Sequence, residues 1–159
     1  MKVNIYVAID DHQPRKKERW AGYIIEAEGH EDMPSIETRC LQATANNTVI
    51  TMMIAALDRF TRPTDIVMWI DSAFVVRTAT RIERKDGRTM NDLELWQENA
   101  WKTARGTEVK NRKEWQRLYN KLRVFEQSRG TFRFEELERD GQKRKRILQA
   151  IKAEQERDC

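Results

Sequence analysis

Three strand-like segments open the chain, and nothing between them is long enough to hold a crossover helix. They are "VNIYVAI" (3–9), "WAGYIIEAE" (20–28) and "IETRCLQA" (36–43). The first two are apolar and rich in β-branched residues, and the third alternates apolar with polar, the period of a half-covered strand. Their connections, "DDHQPRKKER" (10–19) and "GHEDMPS" (29–35), are short and polar. Strands joined in this way pair as an antiparallel meander. The fourth strand, "DIVMWI" (65–70), is different, because it is reached through "NNTVITMMIAALDRF" (46–60). There Ile50, Met53, Ile54 and Leu57 share one helical face, and Pro63 stops the run. A strand reached through a helix lies parallel to a neighbour in the sheet.

The remainder continues this alternation. "SAFVVRTATRI" (72–82) reads as a helix and "KDGRT" (85–89) as a turn. "NDLELWQENAWKTA" (91–104) starts on an asparagine cap and is helical, and "RGTEV" loops out after it. "KNRKEWQRLYNKLRVFEQ" (110–127) is strongly amphipathic, with Trp115, Leu118, Leu122 and Phe125 as one stripe. "GTFRFEEL" (130–137) is a fifth strand, and the rest is a basic helix capped by Asp140 or Gly141. The order is β-β-β-α-β-α-α-α-β-α. The expected fold is α/β, a five-stranded mixed sheet flanked by helices, in one domain over 1–159.

Charge narrows the partners. The chain of 159 residues carries a net charge of +4, and the excess is uneven: residues 101–129 hold nine Lys/Arg against three Glu. Such a block suits phosphates, although a solvated helix face explains it equally. Cys40 and Cys159 make no disulfide framework, which points to a reducing, cytoplasmic setting. "MKVNIYVAIDD" meets carboxylates too early for a signal peptide, and no apolar run is long enough to span a bilayer. A monomer without membrane association is expected.

"IVMWIDSAFVV" (66–76) carries the clearest functional signal. An apolar strand delivers Asp71 at its carboxyl end, a common way to build a site in an open α/β sheet. This element order, together with "ATANNTVI", "DIVMWIDSAFVV" and "WKTARGTEVKNRKEWQRL" at these separations, resembles type 1 ribonuclease H of the bacterial kind with a basic protrusion. The resemblance covers residues 3–137, leaving 138–159 as a C-terminal basic helix. It implies the ribonuclease H-like fold and hydrolysis of the RNA strand of an RNA–DNA hybrid by two Mg²⁺ ions about 4 Å apart, held by four converging carboxylates.

Checked position by position, the carboxylates are mostly gone. Asp71 falls on the family's fourth-strand aspartate, followed by Ser72 as in the family. The first-strand aspartate corresponds to Ala8, because Trp20 stands twelve residues beyond it, where the family opens its second strand with an aromatic. Asp10 is a substitute displaced by about 6.5 Å along an extended strand. The family's helix glutamate, three residues after its paired asparagines, corresponds to Ile50, and no Asp or Glu occurs between Glu37 and Asp58. The family's late histidine is missing, since the only two histidines are His12 and His30, in the first two loops. Its final aspartate corresponds to Leu148 or a neighbour, with Asp140 or Glu136 as substitutes.

What the resemblance leaves in place is a binding surface. Asn46 and Asn47 match the family's asparagine pair, which contacts the hybrid in its minor groove; a helix cap is the competing explanation. Trp96, Trp101, Lys102, Arg105 and Lys110 fall in the basic protrusion, with anchoring of the tryptophans in the core as the alternative. Lys143 to Arg146 is an added basic patch or a solvated helix start. Three functions follow: an inactive homologue, a pseudoenzyme, that binds RNA–DNA hybrid or duplex RNA; a residual ribonuclease using Asp71 with Asp10 and Glu136 or Asp140; or a protein-interaction module. No cofactor is expected, and Mg²⁺ or Mn²⁺, on Asp71, belongs only to the residual enzyme.

Overall fold

The computed structural model describes residues 1–157. A five-stranded sheet runs in the order β3-β2-β1-β4-β7. Its strands are β1 (Lys2–Ile9), β2 (Lys17–Ala27), β3 (Ser35–Ala43), β4 (Asp65–Ile70) and β7 (Thr131–Glu136). β1 pairs antiparallel with β2 and parallel with β4; β2 and β3 are antiparallel, and β4 and β7 parallel. The meander and the parallel fourth strand are thus both present.

The helices are α1 (Ala45–Leu57), α2 (Ala73–Ala79), α3 (Asp92–Glu98), α4 (Arg112–Gln127) and α5 (Gln142–Arg157). A two-residue hairpin, β5 (Ile82–Glu83) with β6 (Thr89–Met90), frames the turn read at 85–89. Several boundaries differ from the expected ones, among them the end of α1 at Leu57 rather than 60 and the start of α4 at Arg112 rather than 110. β2 begins at Lys17, inside the segment read as loop, because Lys17, Glu18 and Arg19 pair with Ala43, Gln42 and Leu41. α2 stops at Ala79 rather than 82, where Thr80 turns to extended backbone. α3 stops at Glu98 rather than 104, because Ala100 and Trp101 take left-handed backbone (φ 53° and 60°) that a helix does not admit.

Strand alternation divides the core in two. Val3, Ile5, Val7 and Ile9 of β1, with Ile66, Met68 and Ile70 of β4, face the apolar sides of α1 and α4. The expected stripe Trp115, Leu118, Leu122 and Phe125 is buried there. Burying each such side chain contributes about 2 kcal/mol. Ala8 points the other way, into a smaller cluster with Ile24, Leu137, Ile147 and Ile151, so that α5 covers the opposite face. Its register partner is Gly22. A Cβ at Gly22 would lie 2.9 Å from Ile147 Cγ2 and 3.0 Å from the Glu37 carbonyl. These two small residues are what allow α5 to approach the sheet.

Candidate functional site

β4 ends at Ile70, and the next residue, Asp71, is only 4% exposed. Its amide donates to the Val7 carbonyl (3.0 Å), extending the parallel ladder by one step and setting Asp71 beside Ala8. Trp69 packs on the α5 side, and alternation carries Asp71 to that side too. Two donors reach Asp71 Oδ2, the Ile9 amide at 3.3 Å and Arg144 Nε at 3.2 Å, and His12 Nε2 lies 3.0 Å from the same oxygen. Ser72 is the N-cap of α2, its hydroxyl accepting from the Val75 amide, and Asp71 has no bond to it.

Arg144 comes from the first turn of α5. The Gly141 carbonyl accepts from Lys145, which makes Gly141 the capping residue of that helix; Asp140 is exposed outside it. One turn further on, Leu148 packs against the small cluster under the sheet. The residue that reaches Asp71 from the last helix is a cation, Arg144.

His12 is placed by a buried arginine. Arg19, fully enclosed, donates through Nε to the Ala43 carbonyl (3.2 Å) and through Nη2 to the Gln13 and Arg15 carbonyls (2.8 Å each). Its Nη1 donates to the Asp11 carbonyl, and the Asp11 carboxylate lies 3.9 Å away. A charged side chain is buried only when its donors are satisfied. Here the 10–16 loop wraps around the guanidinium, and His12 is carried over Asp71.

The other acids do not join Asp71. Asp10 lies just past β1, exposed, with its carboxylate accepting from the Trp20 amide at 3.1 Å. Glu136 and Asp140 are exposed. Ile50 is wholly buried in the larger core. Among the described residues, no group of three or more His, Cys, Asp or Glu is arranged to hold a metal ion. The side chains at Asp71 do not fit a pair of hard cations, which need several oxygen ligands and no competing guanidinium.

The asparagines are not caps. Thr44 caps α1, its hydroxyl accepting from the Asn47 amide at 3.2 Å. Asn46 and Asn47 are half-buried in the first turn, and Asn47 Oδ1 is a buried acceptor with no partner recorded.

Trp101 is 3% exposed, and its indole donates to Gln97 Oε1 at 2.7 Å. Trp96 is half-buried between the rings of Trp101 and Trp115, with centroids 6.3 and 5.8 Å away. Both tryptophans anchor the protrusion to the core. Beyond them the chain forms a small projection: Lys102 bridges to Glu108, Thr103 and Thr107 bond to each other, and Gly106 turns the tip at φ 83°. Lys102, Arg105 and Lys110 are all exposed on it, and no ion pair is recorded for them among the described residues.

This geometry has known counterparts. The RNase H family model matches residues 10–128, three quarters of the chain. The chain belongs to the RNase H family. Ribonuclease H of Cereibacter sphaeroides is 39% identical over 88 residues, covering 52% of this chain and 52% of that protein. Ribonuclease H of Acetivibrio thermocellus is 28% identical over 99 residues, covering 62% and 59%. The chain thus spans about half the length of the curated relatives it matches. Among solved structures, the foamy viral protease-reverse transcriptase in complex with dsDNA superposes with a TM-score of 0.60 at 15% identity, covering 92% of this chain and 86% of that one. The PFV RNase H domain gives 0.56 at 13%, covering 89% and 79%. At these identities the structures speak for the fold.

Against the RNase H pattern, three residues around Asp71 were missed in the sequence: His12, Arg19 and Arg144. His12 and Arg19 stand in a polar stretch without periodicity, and Arg144 sits in a run of four basic residues that reads as a solvated surface. The one available signal for Arg19 was a charged residue directly before the apolar "WAGYII". No helix among the described residues is long and apolar enough to cross a membrane.

Proposed function

We propose that this RNase H family member binds nucleic acid, an RNA–DNA hybrid or duplex RNA, and does not cleave it. The observation that carries the reading is the donor set at Asp71. Where the resemblance calls for four carboxylates, the chain has Asp71, a methyl group at Ala8, a buried alkyl group at Ile50 and Leu148 or a neighbour, and Asp71 itself is met by the guanidinium of Arg144. Two donors, the Ile9 amide and Arg144 Nε, already satisfy one oxygen of Asp71, with His12 against it, and a metal would have to displace them. The surface suited to a duplex is retained. Unpaired cations project on the 102–110 loop, and Asn46 and Asn47, half-buried in the first turn of α1, carry amides of the kind that suit a sugar 2′-hydroxyl.

The names of the curated relatives favour a second reading, residual nuclease activity in which Asp10 or a late acid assists Asp71. The exposed position of Asp10, spent on Trp20, weighs against it.

The test is binding of a fluorescent RNA–DNA hybrid, duplex RNA and duplex DNA across a salt series, in chelator. The wild type is expected to prefer the RNA-containing duplexes and to weaken steeply with salt. Replacing Lys102, Arg105 and Lys110 together with Ala is expected to flatten the slope of log K against log salt by up to about 2.7, at about 0.9 per phosphate contact. Absence of binding to all three duplexes at low salt would instead favour a protein-interaction module.

A further inference from the structure

We propose that Arg144 is a phosphate anchor: its guanidinium, held against Asp71, takes a backbone phosphate of the bound duplex at the end of β4. The inference rests on the nucleic-acid-binding reading above and adds the site and the contacting group.

Arg144 uses only one edge of its guanidinium on the protein. Nε donates to Asp71 Oδ2 at 3.2 Å, and no partner is recorded for Nη1 or Nη2 among the described residues. The side chain is 19% exposed, and its buried carboxylate partner fixes its orientation. A guanidinium is a rigid planar fork, so fixing Nε fixes the direction in which the remaining N–H groups point. An arginine clamped on one edge and open on the other is pre-organised for a second oxyanion and sacrifices little rotamer freedom on binding.

The surroundings agree. His12 Nε2 approaches the same Asp71 oxygen at 3.0 Å, and its side chain is 35% exposed, so an imidazole stands beside the guanidinium. The 10–16 loop that carries it is tied down by Arg19. Lys145 and Arg146 follow on α5, both exposed and with no ion pair recorded. Lys143 is committed elsewhere, to Glu26 at 2.5 Å and over the Tyr6 ring. Glu136, Glu138 and Asp140 are exposed just before the helix. The surface is therefore mixed in sign, and the contact depends on a directed fork rather than on diffuse charge. A fixed cation replaces the mobile metals at this end of the sheet, and no divalent ion is required for the contact.

The experiment compares hybrid binding by wild type, Arg144→Gln and Arg144→Lys in chelator and in Mg²⁺, over a salt series, with thermal melts to follow folding. Wild-type affinity is expected to be no higher in Mg²⁺ than in chelator, since Mg²⁺ only competes for the phosphates. Arg144→Gln is expected to bind about tenfold more weakly, the size of one charge-assisted contact, and to lose about 0.9 from the salt slope. Arg144→Lys keeps a charge beside Asp71 but loses the fork, and is expected to keep the slope with an intermediate affinity. If Arg144→Gln does not fold, Arg144→Lys decides. Wild-type affinity and slope in the folded variants would overturn the proposal and leave Arg144 as the counter-ion of Asp71 alone. Absence of hybrid binding by the wild type would overturn the nucleic-acid reading itself, and is seen before any variant is made.

Discussion

Two regions of the molecule present basic side chains in opposite ways. On the 102–110 projection, Lys102, Arg105 and Lys110 stand in solvent with no recorded ion pair, on a loop whose root is Trp101 packed into the core. At the end of β4, Arg144 and His12 converge on a buried carboxylate, and the loop beneath them is wound around Arg19. The first arrangement supplies long-range attraction that salt screens within about 10 Å. The second supplies orientation at a fixed point. A surface that needed only to attract a polyanion would not enclose Asp71, because a buried ion pair is costly to form and stabilises little in net terms. The β4 end holds a shape, while the projection presents open charge.

The strongest challenge to this contrast is to put the carboxylates back. Ala8→Asp with Ile50→Glu places one charge against Ile147 and Leu137 and another in the fully buried core. The expected result is a loss of about 4 kcal/mol or more in unfolding free energy by urea titration, with no hybrid cleavage in Mg²⁺. Recovery of cleavage would mean that Arg144 yields readily to a metal and that the β4 end is not fixed.

Next in size is Arg19→Ala. It strips donors from the Ala43, Asp11, Gln13 and Arg15 carbonyls and empties a buried site. A loss of about 3 kcal/mol is expected, since several buried acceptors are orphaned together. If the freed loop releases His12, hybrid affinity should also fall while the contribution of the projection to the salt slope stays. An unchanged stability would show that the loop is held by something other than Arg19.

The smallest effect lies on the far edge of the sheet and should leave both regions alone. The Tyr23 hydroxyl donates to Glu37 and holds its carboxyl below the ordinary 4.5; burial opposes this, and Arg39 and Arg59 assist. A carboxyl whose value is lowered by folding stabilises the fold above its unfolded value, and the contribution fades as pH falls through the folded value. Tyr23→Phe should therefore lower the melting temperature slightly at neutral pH, and the difference from wild type should shrink as pH drops below about 4.5. Hybrid binding at neutral pH should not change.

The fold was largely legible in the sequence because its signals were local. Short polar connections forced the meander, and the apolar helix before "DIVMWI" required a parallel fourth strand. The Trp115, Leu118, Leu122 and Phe125 stripe declared the buried face of α4 at its own period. α3 was overextended because nothing in "ENAWKTA" announces that Ala100 and Trp101 adopt left-handed backbone. Half of the site was readable in the same way: Asp71 was marked by the end of its strand, and Ala8 and Ile50 by their spacing. The other half depends on contacts between residues 62 to 73 positions apart, such as Ile9 and Arg144 with Asp71. No period or motif encodes a basic residue that folds back onto a carboxylate, so Arg144 looked like surface and His12 like loop.

The central claim is binding without cleavage, and one titration tests it directly. Labelled RNA–DNA hybrid is incubated with wild-type protein in Mg²⁺ and in Mn²⁺, and the same samples are read for complex by anisotropy and for RNA integrity on a denaturing gel. The account predicts a saturable complex with the RNA strand intact at every protein concentration. RNA cleavage by the wild type that disappears in Asp71→Asn would contradict it.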